Sequence, residues 1–287
     1  MKVSTIALIL TVAVLIVGGS LAYRRSINWS TASSAMTESE LPKHAVNDGK
    51  RAPIIVELFT SEGCSSCPPA DAVLSHLEKT QPVAGAEIIA MSEHVDYWNY
   101  IGWSDPFSSE AFSARQQAYA PVFGNDGVYT PQMVVDGQAE FIGSSTGKAQ
   151  TAIARAAKLP KAEVRISSVD DKSSSANQTI RLKVSVEKLP RISAGDIAEV
   201  LFAITEDNLS SQVARGENSG RKLAHSSVVR ELRSLGRIDD PGKMFESTTS
   251  VMLKSDWKKR DLRAVVFVQE RANKRILGAA TLSLTEN

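Results

Sequence analysis

Apolar positions in the first half of the chain alternate between the continuous runs of strands and the spacing of helices. The run 54–60 is short, apolar and β-branched, which predicts a buried strand. In 70–79 the apolar residues recur at i, i+3, i+4 and i+7, which predicts an amphipathic helix. Further strands are predicted at 87–91, 128–136 and 140–142, and further helices at 109–119 and 147–158. This order predicts an α/β layer fold with a partly parallel sheet.

Apolar positions after residue 160 alternate with polar positions in a period of two. This alternation predicts strands at 164–166, 180–186 and 198–204, and further candidate strands are 226–232, 247–253, 262–269 and 276–282. Short strands separated by polar turns predict an antiparallel sandwich. We expect an α/β domain over 53–159 and an all-β, sandwich-like domain over 160–287, with the boundary at Leu159-Pro160.

The N-terminal segment, residues 1–23, has the pattern of an export signal. A lysine precedes an apolar run, and Ser20 and Ala22 have the small-residue spacing of a signal-peptidase site. The alternative is an uncleaved membrane anchor, since 4–23 is long enough to span a bilayer. Both alternatives place the folded part outside the cytoplasm, in the periplasm, where a disulfide persists. Residues 24–52 are polar and predict a flexible linker.

The composition is that of a globular protein, with 43% hydrophobic residues, 23% charged residues and a net charge of +1. This near-neutral balance argues against a nucleic-acid-binding protein, because such a protein needs a basic surface. The two cysteines are too few for a scaffold held together by disulfides. Their position therefore matters more than their number.

Cys64 and Cys67 are separated by two residues, at the predicted junction of a strand and a helix. A cysteine pair at such a junction is typical of a thiol–disulfide redox site. The helix N-terminus favours a thiolate, so we expect Cys64 to attack and Cys67 to resolve the mixed disulfide. The alternatives are an inert disulfide, two unpaired thiols or a metal site.

A second signal is Thr130-Pro131, at the head of a predicted strand. A cis bond there fits a position held against the cysteine pair. Proline alone is weak evidence, because only about 5–6% of X–Pro bonds are cis.

The strand–Cys-x-x-Cys–helix unit, followed by Thr130-Pro131, resembles the thioredoxin superfamily. This resemblance implies a redox role for Cys64 and Cys67, and a cis-proline at Pro131 that helps to bind extended substrates. A closer resemblance is to a bacterial family of secreted thioredoxin-like proteins, catalogued as a domain of unknown function. The segments that carry it are 57–71, 94–98, Gly102-Trp103 and 215–221 with His225. The family implies a fold and a location but no substrate.

The resemblance is incomplete at the acid and between the cysteines. Thioredoxins carry a buried strand acid six residues before the first cysteine, where this chain has Leu58. Glu57 replaces that acid only with a one-residue insertion, and the preferred alternative is that Glu57 is an exposed strand residue. Because Ser65 and Ser66 replace the usual middle residues, the direction of electron transfer stays open.

Two groups of polar residues are further candidates. His94 follows the second strand and is a candidate proton shuttle or metal ligand, with Asp96 near it. The alternative for His94 is a hydrogen-bonded residue that holds a loop. In the second half, a polar cluster predicts either a pinned loop or a surface for a partner. Its members are Arg215, Glu217, Asn218, Arg221 and His225.

The function expected from these features is an exported thiol–disulfide oxidoreductase that acts on protein thiols or disulfides, with no bound cofactor. Its redox partner is not identified. One alternative is a periplasmic Cu(I)-handling module with two thiolates and His94 as ligands. Another is a non-catalytic interaction protein, since a fold alone does not confer activity.

Overall fold

The computed structural model describes residues 51–169, 179–238, 242 and 244–284. The predicted signal or anchor and almost all of the predicted linker lie outside these residues. Within the described ranges, no helix is both long enough and apolar enough to cross a membrane.

The described residues contain thirteen strands and three α-helices. In chain order they are β1 (Ala52–Thr60), α1 (Pro68–Thr80), β2 (Ala86–His94), α2 (Glu110–Phe123), β3 (Gln132–Val135), β4 (Ala139–Ile142), α3 (Thr146–Ala156), β5 (Glu163–Ser168), β6 (Thr179–Glu187), β7 (Ala198–Glu206), β8 (Leu209–Gln212), β9 (Lys222–His225), β10 (Val228–Ile238), β11 (Phe245–Met252), β12 (Leu262–Glu270) and β13 (Ile276–Ser283). The sequence predicts all of them except β8 and β9. These two strands are short and mostly polar, so they lack an apolar period.

Eight of the strands form one mixed sheet, in the order β13-β12-β7-β10-β2-β1-β3-β4. Strands β1 and β2 are parallel, and β3 is antiparallel to β1. Strand β10, from the second half of the chain, pairs in parallel with β2 at Val228 and Ser92. The sheet therefore continues from the first half of the chain into the second.

The predicted fold, an α/β thioredoxin-like domain followed by an all-β sandwich-like domain, is wrong. The described chain is mostly β, and one large mixed sheet serves both halves. The physical reason is clearest in β12, where residues 264–268 form a continuous apolar run that is buried on both faces. Such a run is typical of a strand inside a sheet that is covered on both sides. The interpretation of 262–269 as a strand of a separate sandwich-like domain missed it.

The two faces of the large sheet have different covers. One face packs against α1 and α3 in a core that includes Leu58, Leu74 and Ile153. In the second half, the three-stranded sheet β11-β6-β5 packs on β7 and β12 around Phe202. The opposite face packs against α2 through Phe112. The cysteines, at the start of α1, belong to the first of these two faces.

Candidate functional site

Cys64 and Cys67 form a disulfide at the start of α1, with their Cα atoms 5.4 Å apart. Helix α1 begins at Pro68, because proline needs no hydrogen-bond acceptor in the first turn of a helix. Both cysteines are fully buried, whereas Ser65 and Ser66 between them are exposed. The bond is therefore close to the surface of the protein without being accessible.

The Thr130–Pro131 peptide bond is cis, as predicted. The antiparallel register of β1 and β3 places Pro131 beside the end of β1, from which the chain continues to the cysteines. The hydroxyl of Thr130 accepts a hydrogen bond of 2.8 Å from the indole of Trp98. Trp98 also lies close to Gly63, since a Cβ atom there would be 3.1 Å from the Cβ of Trp98. Trp98 thus connects Thr130, the residue before Pro131, to Gly63, the residue before Cys64.

A partly buried polar group lies between α1 and the end of the sheet. Asp71, one helical turn after Cys67, accepts a hydrogen bond of 2.8 Å from the hydroxyl of Thr60. Thr60 is the last residue of β1, so this bond places Asp71 on the α1 face of the sheet. Burial raises the pKa of the Asp71 carboxyl, although the nearby His225 and His94 lower it. Asp71 is therefore a candidate proton donor and acceptor near the disulfide.

His94, the last residue of β2, is fully buried, and its Nδ1 lies 2.7 Å from an oxygen of Asp105. Burial lowers the pKa of this imidazole, but Asp105, Asp71 and Glu62 together raise it by more, so the net shift is upward. Burial raises the pKa of Asp105, but His94 and two main-chain N–H groups, those of Glu62 and Phe107, lower it by more. The ring of His94 meets that of His225 edge to face, with centroids 4.9 Å apart.

Glu62, two residues before Cys64, connects the cysteines to the second half of the chain. One oxygen of its buried carboxylate lies 3.0 Å from Nε2 of His225, and the other accepts the indole N–H of Trp103 at 2.7 Å. Nε2 of His94 and Nδ1 of His225 are buried and have no hydrogen-bond partner among the described residues. Two imidazole–carboxylate pairs, His94–Asp105 and His225–Glu62, therefore meet beside the disulfide. In each pair one ring nitrogen has no hydrogen-bond partner among the described residues.

The loop between β8 and β9, residues 213–221, lies against the cysteines. The buried side-chain amide of Asn218 donates to the carbonyl oxygens of Glu62, at 2.9 Å, and of Cys64, at 3.0 Å. The carboxylate of Glu217 accepts the main-chain N–H of Ser65 at 2.9 Å, across 152 residues of sequence. Arg215 is exposed, but four members of the predicted polar cluster are part of the site, although no local sequence signal indicates this pairing: Glu217, Asn218, Arg221 and His225.

Glu57 lies on the opposite face of the sheet. Its fully buried carboxylate accepts hydrogen bonds from Arg115, at 2.6 Å, and from the hydroxyl of Tyr119, at 2.5 Å. The preferred interpretation of Glu57 as an exposed strand residue is wrong. Beside it, burial and then the charge of Glu57 raise the pKa of Glu93. The acid on the α1 face is Asp71, which sequence reasoning missed although it lies four residues after the second cysteine.

Two remaining predictions concern the surroundings of His94. Asp96 accepts a hydrogen bond of 2.5 Å from the hydroxyl of Ser113 on α2, away from the imidazole pair. In the ranges that the structure describes, no group of three or more His, Cys, Asp and Glu side chains is arranged to hold a metal ion. These ranges thus contain a preformed disulfide but no preformed metal cluster.

Comparison with known proteins assigns the chain to a family. Residues 55–269 match the family model described as "Protein of unknown function (DUF1223)", and the chain belongs to this family. Membership in a family of unknown function is thus confirmed, and all the site residues described above lie within the matched region. The wider resemblance to the thioredoxin superfamily is not confirmed.

Two solved structures resemble this one. Protein AGR_C_4864 from Agrobacterium tumefaciens has 25% sequence identity and a TM-score of 0.61, over 83% of this chain and 97% of that one. HBP35 of Porphyromonas gingivalis has 15% identity and a TM-score of 0.56, over 83% of this chain and 79% of that one. The second likeness shows a shared fold alone. No curated protein matches the chain.

Proposed function

We propose that this protein is an extracytoplasmic thiol–disulfide oxidoreductase that exchanges disulfides with protein cysteines through Cys64 and Cys67. The observation that carries the proposal is the disulfide at the start of α1, with Asp71 one helical turn away on the same face of the sheet. A location outside the cytoplasm is part of the proposal, because a disulfide persists there.

In the oxidising direction, a client thiolate attacks the Sγ atom of Cys64. A bond forms between the client sulfur and Cys64, the Cys64–Cys67 bond breaks, and Cys67 leaves as a thiolate that takes up a proton. A second client thiolate then attacks the client sulfur of the mixed disulfide, and Cys64 leaves as a thiolate. Two electrons pass from the client to the cysteine pair, and the client gains one disulfide. The same steps in reverse reduce a client disulfide.

Two features of the site support these steps. The N-terminus of α1 carries the partial positive charge of the helix dipole, which stabilises a thiolate at the cysteines. Asp71 lies four positions after Cys67, the N-cap residue of α1 with helical φ and ψ, a spacing that brings Cβ atoms to about 5–6 Å. A carboxyl with a raised pKa at that distance is suited to exchange a proton with Cys67, directly or through one water.

The complete burial of both cysteines favours a second candidate function, that of an interaction protein with an inert disulfide. In that case the cysteines only brace the start of α1. The two candidates differ in whether the disulfide reacts with a client while the protein stays folded.

The experiment mixes the oxidised protein with an equimolar reduced dithiol peptide and follows both partners by mass spectrometry. We expect one peptide disulfide to form for each cysteine pair that is reduced. In the reducing direction, Cys67→Ser should accumulate a mixed disulfide at Cys64, whereas Cys64→Ser should form none. Peptide oxidation that is equally fast with the wild type and with both variants would end the proposal.

A further inference from the structure

The disulfide lies beneath a separate hairpin, which we call the cap: strands β8 and β9 and the loop between them, residues 209–225. The cap forms its own two-stranded sheet, distinct from the eight-stranded one. A two-stranded hairpin is only marginally stable by itself. The position of the cap therefore depends on its side-chain contacts with the rest of the protein.

The tip of the cap is held together by its own hydrogen bonds. The main chain of Val213 accepts from Gly220 at 2.8 Å and donates to Arg221 at 3.0 Å, and Ser219 donates to Gly216 at 3.1 Å. Gly216 and Gly220 have φ values of 76° and 81°, which favour glycine. The tip is thus held in its own conformation by hydrogen bonds within 213–221.

The hydrogen bonds between the tip and residues 62–65 are made by two side chains, and both side chains reach main-chain atoms. The side-chain amide of Asn218 donates to the carbonyl oxygens of Glu62 and Cys64. Arg221 donates to the amide oxygen of Asn218 at 2.6 Å, and this bond directs the NH₂ group of Asn218 toward the two carbonyls. Glu217 holds one N–H group, and hydrogen bonds from Ser65 lower the pKa of its carboxyl. The tip thus occupies the main-chain donors and acceptors that border Cys64.

A client sulfur must reach Sγ of Cys64, yet neither cysteine has exposed surface while the cap is in place. We propose that the cap is a gate over the Cys64–Cys67 disulfide, closed by Asn218 and Glu217 and displaced by an extended polypeptide client. The main-chain N–H groups of the client replace Asn218 on the two carbonyl oxygens, and a client carbonyl replaces Glu217 on the N–H of Ser65. This inference rests on the proposed function for the identity of the client, but closure of the gate is testable without one.

The test measures how fast tris(2-carboxyethyl)phosphine reduces the disulfide in the folded, full-length protein. Asn218→Ala removes two hydrogen bonds to the cysteine side, so we expect reduction to accelerate about tenfold, and Glu217→Ala to accelerate it by less. Glu217→Gln keeps an acceptor oxygen and should retain most of the closure. Gln212→Ala, which removes a bond to Gly220 within the cap, is the matched control and should behave as the wild type.

Hydrogen exchange separates opening of the cap from general loosening. Residues 213–221 should exchange faster in Asn218→Ala, while β1 should keep the wild-type rate. Reduction rates equal to that of the wild type in Asn218→Ala and Glu217→Ala would overturn the gate. Equally increased exchange in 213–221 and β1 would overturn it as well.

The gate and the proposed function fail in different ways. Faster phosphine reduction in Asn218→Ala, combined with no exchange with the dithiol peptide by any form of the protein, would support the gate and overturn the oxidoreductase. An unchanged rate of phosphine reduction in Asn218→Ala, combined with exchange with the dithiol peptide, would overturn the gate and support the oxidoreductase. Faster phosphine reduction together with faster peptide exchange in Asn218→Ala supports both.

Discussion

Nε2 of His225 lies 3.0 Å from a carboxylate oxygen of Glu62, although 163 residues separate the two in the chain. Both side chains are buried, and Trp103 donates its indole N–H to the other carboxylate oxygen. Glu62 lies two residues before Cys64, and His225 is the last residue of the cap. This pair therefore joins the cap to the segment that carries the disulfide.

Replacement of Glu62 by alanine should destabilise the protein by about 3 kcal/mol, because it leaves the buried donor of His225 and the partly buried donor of Trp103 without their acceptor. Urea denaturation measures this loss, provided that the slope of unfolding free energy against urea concentration is the same as in the wild type. Glu62→Gln keeps one acceptor oxygen and should lose less. A loss below about 1 kcal/mol in Glu62→Ala would show that the pair contributes little.

Asp71→Asn should stabilise the protein near pH 7, because burial disfavours the ionised carboxyl of Asp71 in the folded state. The folded-state pKa of Asp71 is raised, so the wild type loses stability as the pH rises from the unfolded value of about 3.9 through the folded value. The amide does not ionise, and its advantage should vanish well below that unfolded value. Unfolding free energies at two pH values test this, with the exposed Asp256→Asn as control. A less stable Asp71→Asn near pH 7 would refute it.

The pair of His94 and Asp105 should give stability a second dependence on pH. The folded pKa of His94 is raised, so its contribution is complete below the unfolded value of about 6.5 and is lost as the pH rises through the folded value. The folded pKa of Asp105 is lowered, so its contribution is lost at acid pH, as the pH falls through that folded value. Asp105→Asn should flatten the stability curve above about pH 6.5. An unchanged slope there in Asp105→Asn would contradict this account of the pair.

In the reducing direction, Asp71→Asn should also slow the attack of Cys67 on the mixed disulfide, which releases the client, by about a hundredfold, the lower end for general acid–base catalysis. Glu57→Gln is the matched comparison, because Glu57 lies on the other face of the sheet and should change this step less. Single-turnover rates measured over a range of pH separate proton transfer from a structural effect, since only proton transfer changes the pH profile. A larger effect of Glu57→Gln than of Asp71→Asn would show that Glu57, not Asp71, is the acid that transfers the proton.

Local patterns in the sequence predict β1, α1 and the cysteine pair between them, because a strand and a helix each have an apolar period that a short window shows. The pairing of Val228 with Ser92, which merges the two halves into one sheet, has no such local signal. The cap was missed for a related reason, since its strands are four residues long and mostly polar. For Glu57, the apolar residues on either side correctly indicate a strand, but its burial depends on Arg115, which is 58 residues away.

The reduction potential of the Cys64–Cys67 disulfide tests the central claim most directly. The full-length protein is equilibrated with dithiothreitol buffers, and the fraction of reduced pair is counted by alkylation and mass spectrometry. An exchanging pair should have a potential above about −300 mV, within the range of roughly −270 to −120 mV of known redox-active dithiols. A potential below about −300 mV is typical of a structural disulfide and would contradict the proposed oxidoreductase.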